Sequence, residues 1–310
     1  MQFDHPMQHS IARLEELETA IRKPHIALRE AVFLADRLVA HVHPMAPAFV
    51  DVLEKQATHK NVVELADLLR RCWNNAAKYF RYEQLSPAER ERYYAFDGAL
   101  LLKRGTSAKL LVVWTTMFNN FYLSNAALAT ILGQLDCSIL LLKDSTHFNY
   151  LKGVRNFAPD LFSIGPAIVQ LAQKEGFEAI YHAAYSSSGY AALYTALSTP
   201  SRGYLGFSPW VDMRAGSPLP APFYFSEEVR EKVDPSLMFD LKPLLANADP
   251  SVPRTIIYGT NNWRDSANAK YVEELDTVDV IALAKTSHNT VMPYLADDRL
   301  LEPFVRTIAG

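Results

Sequence analysis

The first third of the chain has the hydrophobic spacing of helices. Apolar residues recur every three or four positions across residues 8–93, a period that predicts amphipathic helices. The clearest run is Val62, Leu65, Leu68, Leu69, Trp73 and Ala76. The stretch 86–89, Ser-Pro-Ala-Glu, has the pattern of a capping box, so a further short helix should begin there. We predict an all-helical N-terminal region over residues 1–93, which either supports the rest of the chain or docks a second copy or a protein partner.

After residue 93 the pattern changes to short apolar runs that alternate with amphipathic segments. Strands are predicted at 94–102, 109–114, 137–143, 178–184, 203–207, 254–258 and 277–284, and helices at 123–135, 160–175, 266–275 and from about residue 290. Strands that are apolar on both faces and alternate with helices indicate a mainly parallel sheet with helices on both faces, the α/β class. We assign residues 94–310 to this domain.

The composition argues against several classes of function. The 310 residues carry a net charge of -3, with 49% hydrophobic and 21% charged residues, so there is no basic footprint for nucleic acid. The longest apolar runs have the length of strands rather than membrane spans, and the first residues lack the pattern of a signal peptide. Cys72 and Cys137 lie in apolar contexts and are expected to be buried free thiols, which favours a cytoplasmic location.

The segment 178–197 joins a strand to a helix with almost no loop between them. An apolar, β-prone stretch ends at Ala184, and an alanine- and leucine-rich helix follows from about Ser188. A strand that turns directly into a helix with a serine at the turn is the geometry of a nucleophile elbow. The alternative is an ordinary strand–helix turn whose serines cap the helix.

Steric reasoning selects one of the three serines in this turn. A strained elbow brings the residues two before and two after the nucleophile together, so both must be small. With Ser186 at the apex these residues are Ala184 and Ser188. Moving the apex forward by one or two positions would place Tyr185 or Tyr190 there instead. Ser186 is therefore the predicted nucleophile.

A serine nucleophile needs a base, and the base needs an acid that fixes its tautomer. After an elbow of this kind the acid comes first and the histidine last, each following a strand. His288 is the only histidine after residue 182 and follows the last predicted strand. Asp265 follows the strand before it, whereas its rivals Asp276 and Asp279 lie at the entry to a strand. By itself Asp265 would also suit the N-cap of the helix that follows it.

An oxyanion intermediate must be held by fixed hydrogen-bond donors. The first predicted donor is the backbone amide of Ser187, directly after the nucleophile. The second should lie in the loop 115–118 that follows the strand 109–114. Met117 is the first choice in this loop, and Thr116 is the next.

Residues 94–310 resemble the α/β-hydrolase superfamily. More narrowly, they are similar to a bacterial branch of accessory secretion proteins and capsular polysaccharide O-acetyltransferases, whose elbows have the form G-S-S-x-G-G-Y-A-A-L. The matching stretches are 184–193, in which Ala184 and Ser188 replace the usual glycines, 206–209, Tyr258-Gly259 ahead of the aspartate, and 288–293. The resemblance implies a Ser186–Asp265–His288 triad.

Aromatic residues near the predicted active edge are candidates for contact with substrate. The segment 208–250 is too long for a simple crossover and is either a lid over the site or a packed helical connection. Trp210 and Phe223 lie in this segment. Tyr150 is a further candidate, as is His147 in the same loop, with a solvated loop as the alternative.

The remaining histidines suggest no metal site. His182 lies within the elbow strand and is expected to be a hydrogen-bonded core residue. His41 and His43 would lie on different faces of a helix, and no third ligand is close to them in sequence. We therefore expect neither a metal nor another cofactor.

Together these residues predict a serine-dependent acyl-transfer enzyme, an ester hydrolase that acts through an acyl-enzyme on a small-molecule or glycan ester. The first alternative is an O-acyltransferase that moves an acyl group to or from a glycan, because the same triad serves both reactions. The second is a non-catalytic, hydrolase-like scaffold in secretion or envelope assembly. The substituted elbow glycines favour the scaffold, and an intact triad argues against it.

Overall fold

A computed structural model describes residues 28–56, 60–220 and 230–309. The chain divides into two compact units. The helical unit consists of the described part of residues 1–96 together with Tyr122–Gln134 and Val291–Leu301. The sheet unit consists of Asp97–Phe121, the described part of Leu135–Thr290, and the described part of residues 302–310. The sequence placed one boundary at residue 93, but a linear boundary does not capture the two later segments of the helical unit.

The described helices and strands are as follows. The helices are α1 (Leu28–Ala40), α2 (Ala46–Gln56), α3 (Lys60–Ala76), α4 (Pro87–Ala95), α5 (Asn125–Leu132), α6 (Leu161–Glu175), α7 (Gly189–Ser198), α8 (Lys242–Ala246), α9 (Trp263–Val272), α10 (Val291–Ala296) and α11 (Leu301–Ala309). The strands are β1 (Ala99–Leu102), β2 (Lys109–Trp114), β3 (Ser138–Leu142), β4 (Ala179–Tyr185), β5 (Gly203–Phe207), β6 (Arg254–Gly259) and β7 (Asp279–Leu283).

Within the helical unit, α3 packs against α10. The Cys72 thiol lies 3.4 Å from the Met292 carbonyl oxygen, and the Asn75 amide donates to the carbonyl oxygens of Leu295 and Ala296 at 3.0 and 2.8 Å. Carbonyls at a helix C-terminus have no partner within the helix, so Asn75 supplies what α10 lacks. The prediction of a helical N-terminal region is confirmed over the described residues, and residues 8–27 lie outside them.

The capping box at the start of α4 forms as predicted. The Ser86 hydroxyl accepts from the Glu89 amide at 3.3 Å, and the Glu89 carboxylate accepts from the Ser86 amide at 2.9 Å. The predicted strand 94–102 is wrong at its start, because α4 continues to Ala95. The chain then turns at Gly98, which has a φ of 86°, before β1 begins.

Two other helices differ from their predicted bounds. α5 begins at Asn125 because Ser124 caps it, accepting from the Ala127 amide at 3.4 Å, and it ends at Leu132 before the C-cap Gly133. The final helix is interrupted, and α10 and α11 take its place. The break lies at Asp298, which has a φ of 58°, and the Arg299 amide bonds back to the Tyr294 carbonyl at 2.8 Å.

The seven strands form one sheet in the order β1-β3-β2-β4-β5-β6-β7. β1 pairs antiparallel with β3 at one edge, and all the other neighbouring strands pair in parallel. Consecutive residues of β3, β5 and β6 are all buried, so both faces of the sheet are covered. The predicted α/β class, a mainly parallel sheet with helices and a preceding helical region, is confirmed.

The parallel strands bring the candidate residues to one edge of the sheet. β2 ends at Trp114, β4 at Tyr185, β6 at Gly259 and β7 at Leu283, and each is followed at once by a loop that carries predicted site residues. Ligands of open α/β sheets bind at the carboxyl ends of parallel strands. Because the strands run in the same direction, residues that are far apart in the sequence lie close together at this edge.

The described part of the segment 208–250 is packed against the rest of the sheet unit. The Val211 amide donates to the Asn268 side chain at 3.1 Å, and the Val211 carbonyl accepts from the Leu241 amide at 2.8 Å. The Asp212 carboxylate is buried and is held by Arg214. These contacts fit the packed connection rather than a free lid, while residues 221–229 lie outside the described part of the chain.

In the described ranges, no helix combines the length and the apolar character that a bilayer crossing requires.

His182 is a core residue beneath the elbow, as expected from the sequence. Its Nδ1 accepts from the Trp114 indole at 3.1 Å, and its Nε2 lies 2.8 Å from the Ser201 hydroxyl. The Trp114 indole can only donate, so Nδ1 carries no hydrogen and the ring is neutral. Full burial lowers the pKa of His182 to about 3.

We predict that His182 makes stability fall as the pH drops below about 6.5. The unfolded chain gains a proton on His182 near its usual pKa of 6.5, whereas the folded chain excludes that proton until about pH 3. Between pH 7.5 and 5 this should remove about 2 kcal/mol from the free energy of unfolding, at about 1.36 kcal/mol per pH unit and proton. Urea unfolding of the wild type and His182→Gln at both pH values measures the difference.

His41 provides an internal control, because burial lowers its pKa to about 3 as well and it is present in both proteins. Its contribution cancels when the two pH dependences are subtracted. Parallel pH dependences of wild type and variant would show that His182 is not the titrating group.

Candidate active site

The backbone at Ser186 has the conformation of a nucleophile elbow. β4 ends at Tyr185, a single turn of 3₁₀ helix follows, and α7 begins at Gly189. Ser186 itself has a φ of 56°, in the left-handed region that residues with a side chain rarely adopt. Such a conformation costs about 1–3 kcal/mol and persists only where the surroundings impose it. The strained position is therefore Ser186, the residue that the steric reasoning from sequence placed at the apex of the turn.

Ser188 stabilises the elbow where glycine would be usual. Its hydroxyl lies 2.9 Å from the Trp114 carbonyl and 3.0 Å from the Tyr185 carbonyl, and it accepts from the Tyr185 amide at 3.2 Å. The hydroxyl therefore ties the elbow to the end of β2. Gly189 is required for space, because an added Cβ would lie 2.4 Å from Cβ of Pro209. The two departures from glycine, at Ala184 and Ser188, thus leave the turn intact.

The structure brings the three predicted side chains together. The Ser186 hydroxyl oxygen lies 2.6 Å from Nε2 of His288, and Nδ1 of His288 lies 3.0 and 2.9 Å from the two carboxylate oxygens of Asp265. An ionised carboxylate can only accept, so Nδ1 carries the hydrogen and Nε2 is free to accept the proton of Ser186. The Asp265 side chain is 2% exposed and that of His288 is 35% exposed.

Asp265 is available to His288 because another residue caps α9. The Asn262 side chain accepts from the amides of Arg264 and Asp265 at 3.0 and 3.3 Å, so α9 begins earlier than predicted. This corrects the expectation that Asp265 would suit the N-cap position. Its carboxylate projects from the first turn of the helix toward His288 instead.

The two rival carboxylates lie elsewhere. Asp279 is the first residue of β7, at the opposite edge of the sheet, and pairs with Arg306 at 3.7 Å. Asp276 is exposed just before that strand. Strand direction separates both from His288.

The loop that carries His288 is fixed from three sides. The Tyr185 hydroxyl donates to the Asn289 side chain at 2.7 Å, and the Tyr185 ring lies 5.6 Å from the His288 ring. The Ser208 hydroxyl donates to the His288 carbonyl at 3.2 Å. Gly259 admits the loop closely, because a Cβ there would lie 2.0 Å from the Ser287 carbonyl oxygen. These contacts place the imidazole without help from substrate.

The loop after β2 has its own set of hydrogen bonds. The Thr116 amide donates to the Asn120 carbonyl at 2.7 Å, and the Thr116 hydroxyl donates to the Asn120 side chain at 2.9 Å. The Thr116 amide is thus committed within its own loop, which removes it as a donor to substrate. The Met117 amide is directed at the elbow, where it donates to the Ser187 hydroxyl at 2.9 Å.

His147 supports the same loop, a contact that the sequence did not predict. Its Nδ1 lies 3.2 Å from the Met117 carbonyl oxygen. Met117 is therefore held by Ser187 at its amide and by His147 at its carbonyl. The sequence identified His147 only as a candidate for substrate contact, because nothing local relates it to a residue 30 positions earlier.

Two residues expected to contact substrate have packing roles. Tyr150 is fully buried, and its hydroxyl oxygen lies 2.7 and 2.9 Å from the carbonyl oxygens of Leu142 and Thr115. Trp210 is buried within the main apolar core. Neither ring offers an open surface, which corrects both expectations. The third candidate, Phe223, lies outside the described residues.

The cysteines and the residue types that bind metals were the other candidates for chemistry. Cys72 and Cys137 are free and buried, as expected, and burial raises the pKa of Cys137 to about 11. Within the described ranges, no three His, Cys, Asp or Glu side chains are grouped so as to hold a metal ion.

Comparison of the sequence with models of known families and with curated proteins finds no match. Among solved structures, the chain is similar to an alpha/beta hydrolase enzyme from a sediment metagenome of the Mar Chica lagoon, Morocco, with 14% identity over 68% of this chain and 95% of that chain and a TM-score of 0.43. It is also similar to MenH from S. aureus and Est1E from Butyrivibrio proteoclasticus, each with 13% identity over 69% of this chain and 100% of that chain, with TM-scores of 0.47 and 0.45. At these values the likeness adds nothing on chemistry, which rests on the contacts above.

We predict that Tyr185→Phe slows the reaction of Ser186 with a fluorophosphonate probe by about fivefold, since one hydrogen bond of about 1 kcal/mol to the His288 loop is lost. The variant keeps the ring that packs on His288, so the effect isolates the hydroxyl. Time courses of labelling measure the rate. Tyr181→Phe, near the other end of the same strand, should react at the wild-type rate, and equal slowing in both variants would contradict a local effect.

Proposed function

We propose that the chain is a serine-dependent acyl-transfer enzyme, and specifically an ester hydrolase. The observation that carries this proposal is the 2.6 Å contact between Ser186, held in a strained elbow, and His288. A strained serine paired with an imidazole, which in turn is paired with a buried carboxylate, is the arrangement that makes a hydroxyl nucleophilic. We expect the enzyme to act in the cytoplasm, because both cysteines are free thiols.

In the proposed first half-reaction, the Ser186 oxygen attacks the ester carbonyl carbon while its proton passes to Nε2 of His288. The carbonyl oxygen becomes an oxyanion, and Asp265 stabilises the imidazolium through Nδ1. Collapse of this intermediate breaks the ester bond, and the alcohol leaves with the proton from Nε2. The acyl group is then an ester of Ser186.

In the second half-reaction, an acceptor hydroxyl attacks the acyl carbon while its proton passes to Nε2 of His288. The bond between the acyl carbon and the Ser186 oxygen then breaks, and Ser186 regains its proton from His288. Water as the acceptor gives hydrolysis, and a glycan hydroxyl gives O-acyl transfer. The acceptor decides between these outcomes, so the hydrolase is tested by adding one. With p-nitrophenyl acetate, hydrolysis predicts a rate of p-nitrophenol release that does not change when an oligosaccharide is added, whereas transfer predicts acceleration and an acetylated oligosaccharide.

The scaffold alternative drew its support from the missing elbow glycines. Ala184 is fully buried, and Ser188 replaces glycine with a hydroxyl that lies within hydrogen-bond distance of the last carbonyls of β2 and β4. Neither substitution moves Ser186 away from His288. The geometry therefore favours an enzyme over a scaffold.

We predict that Ser186→Ala lowers kcat for p-nitrophenyl acetate by at least about 10³-fold and abolishes fluorophosphonate labelling, since no nucleophile remains. The matched control is Ser198→Ala, which changes an exposed serine at the end of α7 and should keep wild-type kinetics. A wild-type protein that neither labels nor turns over esters would favour the scaffold. Labelling that survives in Ser186→Ala would assign the nucleophile elsewhere.

We predict that Asp265→Asn lowers kcat by about 10⁴-fold with little change in fold, because the amide no longer fixes the reactive tautomer of His288. Asp276→Asn alters the exposed rival and should leave kcat within about twofold of wild type. Steady-state kinetics of the two variants, with circular dichroism to check folding, make the comparison. A larger loss in Asp276→Asn would reverse the assignment of the acid.

A further inference from the structure

The Ser187 side chain lies between the nucleophile and the loop expected to complete the oxyanion hole. It is 1% exposed, and its hydroxyl oxygen accepts from the Met117 amide at 2.9 Å. An amide has a single hydrogen, so the Met117 N–H that was expected to face the oxyanion is directed at Ser187 instead. The expected direct donor is already in use.

The hydrogen of the Ser187 hydroxyl has a different status. A serine hydroxyl has one hydrogen to donate in addition to the lone pairs with which it accepts. Over the described residues, Ser187 takes part in one side-chain hydrogen bond, and it accepts in that bond. A buried donor without an acceptor is unfavourable until an acceptor arrives. Directly beside Ser186, that acceptor is supplied by the reaction.

The neighbouring serine shows that this arrangement is specific to Ser187. Ser188 is equally buried, but carbonyl oxygens of Trp114 and Tyr185 lie 2.9 and 3.0 Å from its hydroxyl. Its hydrogen therefore has acceptors in the resting protein. Of the three serines of the elbow, the hydroxyl of Ser186 contacts His288 and that of Ser188 contacts the carbonyls at the strand ends. The hydroxyl hydrogen of Ser187 has no acceptor among the described residues.

We propose that the Ser187 hydroxyl donates to the oxyanion, so that Met117 acts through Ser187 rather than directly. This inference rests on the proposed function. When the Ser186 oxygen bonds to the carbonyl carbon, the carbonyl π electrons move to the oxygen. That oxygen then accepts from both the amide and the hydroxyl of Ser187.

Two physical effects favour this arrangement. A bond donated by Met117 to the Ser187 oxygen polarises the O–H group and makes it a stronger donor, as in any chain of hydrogen bonds. The acceptor also becomes strongly basic only when negative charge develops. The Ser187 bond is therefore worth more in the transition state than with bound ester, which is the condition for raising kcat rather than lowering KM.

The test compares Ser187→Ala and Ser187→Cys with wild type on p-nitrophenyl acetate. Alanine removes the donor, and cysteine keeps the approximate size with a much weaker donor. We expect kcat to fall about 10²- to 10³-fold in the alanine variant and by a smaller factor in the cysteine variant, with KM changed less than about threefold. Affinity for a phenylboronic acid, which forms a tetrahedral adduct with Ser186, should fall in the same order.

The matched control is Ser138→Ala. Ser138 is a buried serine whose hydroxyl accepts from the Arg104 amide at 3.1 Å, as Ser187 does from Met117, but it lies at the opposite edge of the sheet. Its removal should leave kcat unchanged even if the melting temperature falls. The cysteine variant covers the case in which alanine prevents folding.

A different result follows if Ser187 only blocks or only positions Met117. Removing the hydroxyl would then release the Met117 amide to the oxyanion, and kcat would stay within about threefold of wild type or increase. That outcome overturns the inference while Ser186→Ala still abolishes turnover. If the wild type itself shows neither turnover nor labelling, the proposed function fails and this inference fails with it.

Discussion

The left-handed backbone at Ser186 is the constraint on which the rest of the site depends. A φ of 56° is unfavourable for serine, and it is imposed by packing on both sides. The Ser188 hydroxyl bonds to the end of β2, and Gly189 lets α7 approach Pro209. These contacts convert a strand directly into a helix and leave the Ser186 side chain at the edge of the sheet. The apolar surface buried on folding offsets the cost of the strained backbone at Ser186, which presents its hydroxyl at the edge of the sheet.

The same edge explains why residues far apart in sequence become neighbours. The strands β2, β4, β6 and β7 run in parallel, so their carboxyl ends lie at the same edge of the sheet. The segment after each of them contributes one part of the site. Local hydrogen bonds then orient each group. Asn262 caps α9, so the Asp265 carboxylate can bond to His288, and Tyr185 and Ser208 hold the loop that carries His288. Each of these hydrogen bonds both stabilises the fold and orients a residue of the candidate site.

Much of this site could be predicted from the sequence, because its signals are local. The small residues around Ser186 and the order of Asp265 and His288 after strands are readable in a single chain. Side-chain contacts between residues far apart in the sequence could not be predicted in this way. Tyr150 and Trp210 follow strands in loops, where aromatic residues suggest a binding surface, yet distant partners bury them. The bond from Met117 to Ser187 spans 70 positions and has no counterpart in local pattern.

If the site works as proposed, Ser186 rather than either neighbouring serine forms a covalent bond during the reaction. Peptide mapping of the fluorophosphonate adduct by tandem mass spectrometry identifies the serine that reacts. We expect one adduct, located on Ser186, that disappears when His288 is replaced by alanine. An adduct on Ser187 or Ser188, or one that forms at the same rate without His288, would contradict it.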